Sequence, residues 1–133
     1  EVTVVGPIQI SRAAIASAPA NVRFVGPVSR SEAAEQYRRA DAFVLPTVSD
    51  GFAITQLEAM AHGLPVISTP HCGEVVTHGV DGLIVAARDA MALAEAILSL
   101  AGDFDMVASM GDAAVVKSGQ FPISRLAEHL AAI

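Results

Sequence analysis

Five short β-rich runs recur along this chain, and the segments between them are long enough to hold a helix. They are Val2 to Val5, Val22 to Val25, Ala42 to Leu45, Pro65 to Ser68 and Leu83 to Val85. Most are continuously apolar instead of alternating, which suits strands covered on both faces. The intervening segments of roughly 12 to 20 residues suit helical crossovers between parallel strands. The expected class is therefore α/β, a Rossmann-like parallel sheet of about five strands with helices on both faces.

Helix ends are legible in the same way. Ser29 or Ser31 is placed to cap a helix over 32–39, with Glu32 and Glu35 early and Arg38 and Arg39 in the last turn, the order that suits the helix dipole. Gly63 followed by Leu64 and Pro65 closes the next helix, because glycine accepts the left-handed cap and proline cannot continue. After Val85 the pattern turns helical near 89–101, 104–117 and 122–132, with breaks at Gly102, Gly119 and Pro122. This predicts a helical C-terminal tail on the sheet. No repeat or linker divides the 133 residues, so one domain is expected.

Composition narrows the function. With 53% hydrophobic and 17% charged residues the chain belongs with folding sequences. Its net charge of −6, with basic residues scattered, offers no footprint for nucleic acid. A polyphosphate ligand must then be held by local features such as the N–H groups of a helix start. A single cysteine, Cys72, favours a reducing compartment, and the cytoplasm is expected. No apolar run reaches the roughly 20 residues of a bilayer span and no secretory leader is recognisable, leaving peripheral membrane association open.

The chemistry is concentrated between Ser49 and Thr69. A loop with Asp50 and Gly51 follows the strand ending at Leu45 and leads into a helix, on the side where α/β sheets bind ligands. Free N–H groups near Phe52 to Thr55 suit a phosphate. Counting about 100° per residue from Ile54 puts Leu57 at about 300°, Glu58 at about 40° and Ala61 at about 340°, so Glu58 falls in the expected apolar arc. Either a protein donor satisfies that carboxylate, or it is solvated at the edge of the stripe, or it faces a cleft and takes ligand hydroxyls. Asp50 before Gly51 is equally compatible with an ordinary turn. His71, Cys72 and His78 lack the spacing of a standard metal site, and no metal is expected. Ser68 and Thr69 lack a nucleophile elbow, and Gly6 stands without the glycines of a dinucleotide site.

Several motifs occur in order: Phe24-Val25-Gly26; Tyr37 with Ala40-Asp41 and Pro46-Thr47; Asp50-Gly51-Phe52-Ala53 with Glu58 eight positions after Asp50; Gly63-Leu64-Pro65-Val66; Gly73-Glu74; and Gly79-Val80-Asp81-Gly82. Over about half the chain this resembles the C-terminal, donor-binding domain of the retaining group 1 glycosyltransferases of GT-B architecture, which include sucrose, trehalose and mannosyl transferases. The resemblance implies a nucleotide-sugar donor, with Asp50 at the donor sugar and Glu58 on the ribose as the candidate catalytic pair. It implies further donor contacts from Gly51, Phe52, Ala53 and Ile54, from Val28 and Ser29 near the base, and from Gly73 and Glu74 in the cleft wall. No cofactor is implied. The hydroxyl acceptor would be held by an N-terminal domain outside this chain, and so would the family's basic pair, which precedes the first strand; this chain alone is expected to be inactive. Two positions depart from the family pattern: Asp50 stands where the family has Glu, and Ala53 where it has Gly. Alternative readings are a degenerate, non-catalytic nucleotide-sugar-binding or assembly domain, and a GT-B nucleotide-sugar epimerase.

Overall fold

The computed structural model describes residues 1–121. All five expected strands form: β1 (Val2–Val5), β2 (Val22–Gly26), β3 (Phe43–Leu45), β4 (Val66–Ser68) and β5 (Gly82–Ile84). They alternate with helices α1 (Arg12–Ala16), α2 (Arg30–Arg39), α3 (Ile54–Ala61), α4 (Ala90–Ala101) and α5 (Phe104–Ser118). Every strand pairing is parallel. The strands form two ladders, β1-β2 and β3-β4-β5, where the sequence suggested one sheet. Each ladder closes its register within one of two compact units, Glu1–Arg39 and Ala40–Ile133.

In the first unit, Val2 pairs with Val22 and Val4 with Phe24. Ser11 caps the single turn of α1 by accepting the Ala14 N–H at 3.1 Å. Helix α2 starts two residues earlier than its charge pattern suggested because Ser29 and Glu32 make a capping box. The Ser29 hydroxyl accepts the Glu32 N–H at 3.3 Å, and the Glu32 carboxylate accepts the Ser29 N–H at 2.7 Å. In the last turn Glu35 pairs with Arg38 and Arg39.

The second unit holds the main core. Ile67, Val85, Ala96, Leu100 and Met110 are buried together, with Val44, Leu83, Leu93 and Val107 packed around them. Strand β4 is buried along its length, as a continuously apolar central strand should be. Helices α4 and α5 pack on β4 and β5 respectively, so the expected tail is present as far as residue 118. Asp89 and Asp103 cap them by accepting the N–H groups of Ala92 and Met106. The helix expected over 122–132, and His129 within it, lie outside the described residues.

Helix α3 ends as the sequence indicated. Gly63 has φ of 78°, its N–H reaches the Met60 carbonyl at 2.9 Å, and the Leu64 N–H reaches the Ala59 carbonyl at 3.2 Å, a Schellman cap. Its buried face differs from the expected one. Gln56, Ala59 and Met60 point inward, while Ile54 is 52% exposed and Ala61 is exposed. Both sides of this short helix carry apolar residues, so periodicity did not separate them. Packing of α3 against α5, β3 and β4 selects the side that holds Gln56 and Met60.

Candidate functional site

Two loops of the second unit meet at the start of α3. The first, Asp50 to Ala53, follows β3; the second, His71 to Glu74, follows β4. The Asp50 N–H donates to the His71 carbonyl at 2.8 Å. Gly73, with φ of 80°, lies against Phe52: a Cβ at Gly73 would stand 3.1 Å from the Phe52 ring. From beneath, the Gln56 side chain donates through Nε2 to the Cys72 carbonyl at 2.6 Å. The fold thus brings together Asp50, Gly51, Phe52, Ala53, Ile54, Gly73 and Glu74, residues that are adjacent only in two separate stretches of sequence.

Helix α3 begins without a side-chain cap, because its N-cap is Ala53. The first N–H groups of the helix therefore lack the usual serine or aspartate oxygen, and the positive end of the dipole is left to solvent or ligand. Ala53 has φ of −75°, a conformation any residue adopts, so its methyl carries no backbone penalty in place of glycine. It is buried, whereas Asp50, Gly51, Phe52 and Ile54 are exposed. Glu58, the other half of the spaced pair, is half-buried on the same helix, where its carbonyl lies 2.7 Å from His62 Nδ1.

Val28 and Ser29 lie in the first unit, between β2 and α2. Val28 is half-buried. The hydroxyl and N–H of Ser29 are both engaged in the capping box, which a plain strand-to-helix connection also requires. Ser29 holds the Glu32 carboxyl below its usual pKa, first through the hydroxyl and then through the backbone N–H.

Three contributors were not apparent from the sequence. Gln56 is fully buried, and a polar residue inside the true buried face of α3 was its signal, hidden by the wrong choice of face. Thr69 donates to the Thr47 carbonyl at 2.7 Å and ties the loop after β4 to the one after β3. Phe121 sets its ring 6.1 Å from Phe52, a long-range contact with no local signature. His71 and Cys72 contribute backbone carbonyls; Cys72 itself is buried, and His78 Nδ1 accepts the Ile84 N–H at 2.9 Å. Among the described residues no three His, Cys, Asp or Glu side chains converge as a metal site would require. No described helix is long and apolar enough to cross a membrane.

Parallel strands with crossover helices, and two loops joined at an uncapped helix start beyond the strand ends, define an α/β domain of the Rossmann-like type. Residues 1–103 match the family described as glycosyl transferases group 1, and the chain belongs to that family. It is 32% identical over 114 residues to the D-inositol 3-phosphate glycosyltransferase of Corynebacterium kroppenstedtii, covering 84% of this chain and 25% of that protein. It is 34% identical over 127 residues to the lipopolysaccharide core biosynthesis mannosyltransferase LpsB of Rhizobium meliloti, covering 92% and 36%. Among solved structures, sucrose-phosphate synthase of Thermosynechococcus elongatus superposes with a TM-score of 0.80 at 27% identity, over 98% of this chain and 38% of that one. Anabaena HepE in complex with UDP-glucose shares the fold at 21% identity, with a TM-score of 0.81 over 98% and 40%. The chain thus spans about a quarter to two fifths of the length of these proteins.

Proposed function

We propose that this chain is the donor-binding domain of a retaining hexosyltransferase that moves a sugar from a nucleoside diphosphate to a hydroxyl acceptor. The observation that carries the reading is the junction at α3, where the Asp50–Ala53 loop, the His71–Glu74 loop and an uncapped helix start come together. Relatives named as glycosyltransferases support the class of reaction, and the fold shared with a protein solved with UDP-glucose is compatible with a nucleotide-sugar ligand.

In this reading the first N–H groups of α3 face the diphosphate and offset its charge as the glycosidic bond lengthens. That role needs no metal, because fixed backbone dipoles stabilise a developing anion without reorganising. Asp50 orients the donor sugar and does not attack it. Glu58 accepts hydrogen bonds from the ribose, while Gly73 and Glu74 wall the cleft. The acceptor meets the sugar on the leaving-group face, which retains the anomeric configuration, and is held by a further domain. The cytoplasm is the proposed compartment. The conformation of Ala53 weakens the case for a degenerate site, since the methyl there strains nothing.

The test is a titration of the chain with UDP, GDP and ADP followed by NMR, with Glu58→Gln as control. Losing a charged hydrogen bond costs about 1.5 to 3 kcal/mol, so the control should bind about 10- to 150-fold more weakly. Shifts at Phe52, Ile54 and Gly73 that Glu58→Gln diminishes support the reading and identify the base. An absence of shifts with all three nucleotides at millimolar concentration would overturn it.

A further inference from the structure

We infer that Gln56 is a positioning residue for the donor site, fixing the His71–Glu74 turn against the Asp50–Ala53 loop; this rests on the donor-site reading above. Gln56 is fully buried in the first turns of α3. Its Nε2 donates to the Cys72 carbonyl at 2.6 Å, across sixteen positions of sequence. Its Oε1 is buried without a hydrogen-bond partner among the described residues. An orphaned buried acceptor costs stability that an apolar side chain of the same length would not, so packing alone does not account for a glutamine here.

What the amide does supply is one directional bond to the turn that carries Gly73 and Glu74. Other ties between the two loops are the Asp50 N–H to the His71 carbonyl, the Thr69 hydroxyl to the Thr47 carbonyl and the packing of Phe52 on Gly73. None of these comes from α3. Gln56 therefore links the turn to the helix whose N–H groups are proposed to face the diphosphate, and sets the distance between the two walls of the site. It does not touch the ligand, since no part of it reaches the surface.

A purely structural role and a positioning role predict different behaviour of Gln56→Met, which keeps the length and removes both the amide bond and the orphaned acceptor. Thermal unfolding and NMR titration with UDP, GDP and ADP are to be measured on the wild type, Gln56→Met, Gln56→Leu and Glu58→Gln. The expected result is an unchanged or higher Tm for Gln56→Met, displaced Gly73 and Glu74 amide resonances in the free protein, and a Kd raised at least about fivefold. An unchanged Kd in either Gln56 variant, whatever its Tm, overturns the inference while leaving the donor site intact if Glu58→Gln still weakens binding. No binding by the wild type would overturn the donor-site reading and this inference with it.

Discussion

Gly82 and Lys117 show how single residues hold the frame behind the site. A Cβ at Gly82 would stand 2.0 Å from the Val66 carbonyl oxygen, inside the pairing of β4 with β5, and backbone is the least yielding neighbour a side chain can meet. Gly82→Ala is expected to cost about 1 to 3 kcal/mol and to lower Tm by roughly 3 to 12 °C, read by thermal unfolding. One position earlier, Asp81 is 1% exposed; its Oδ1 accepts the Thr77 N–H at 2.7 Å and its Oδ2 lies 3.8 Å from Lys117 Nζ. Lys117 also donates to the Thr77 hydroxyl at 2.9 Å, joining the end of α5 to the turn before β5. Lys117→Met leaves a buried carboxylate without its cation, and the expected loss is about 2 kcal/mol, less than for a fully formed buried pair because 3.8 Å is a loose contact. Adding Asp81→Asn removes the buried charge and should restore most of that loss, a coupling that denaturant unfolding of the double variant measures.

The stability of α2 depends on pH in a defined direction. Its Glu32 carboxyl is held below the ordinary value by the Ser29 hydroxyl and then the Ser29 N–H, and Glu35 is held down by Arg38 and then Arg39. Since the folded pKa values are lowered, these carboxylates stabilise the helix above the unfolded value of about 4.3 and lose that contribution as pH falls through the folded values. Ser29→Ala should therefore raise the Glu32 titration midpoint towards the unfolded value, measured by NMR of the side-chain carboxyl, and destabilise the helix by about 1 kcal/mol. An unchanged midpoint would show that the cap is not formed in solution. The same helix shows where sequence reading succeeds: Ser29, Glu32, Arg38 and Arg39 act within one or two turns, so their order determines their partners. Helix α3 shows where it fails. Its C-terminal cap was legible because Gly63 acts locally, but its buried face was set by α5, β3 and β4, and Gln56 was missed with it. Likewise the spaced acids Asp50 and Glu58 were legible as a pattern, whereas the bond from Asp50 to His71 and the packing of Phe52 on Gly73 and Phe121 join segments that no local rule relates.

At the scale of the whole molecule, burial is unequally shared, and the inequality bears on how the chain opens. Among Glu1–Arg39 the only buried residue is Gly26, and Val4 and Val5 of β1 are each 38% exposed. The second unit contains the other buried residues among those described, including all of β4 and the cluster around Ile67. Amides exchange through local or global opening according to the apolar contacts that opening must break, so the two ladders should not be protected alike. Val66, Ile67 and Ser68 are expected to exchange only through global unfolding. Val4 and Phe24 should exchange at least about 100-fold faster after correction for intrinsic rates, an opening cheaper by about 2.7 kcal/mol. Hydrogen exchange followed by NMR on the whole chain measures both ladders in one sample. Equal protection of β1 and β4 would mean that the chain unfolds as one cooperative body and that burial within the first unit understates its stability. The expected gap would instead mean that β1 and β2 open by themselves while the buried cluster around Ile67 stays closed, so that each ladder keeps the stability of its own unit.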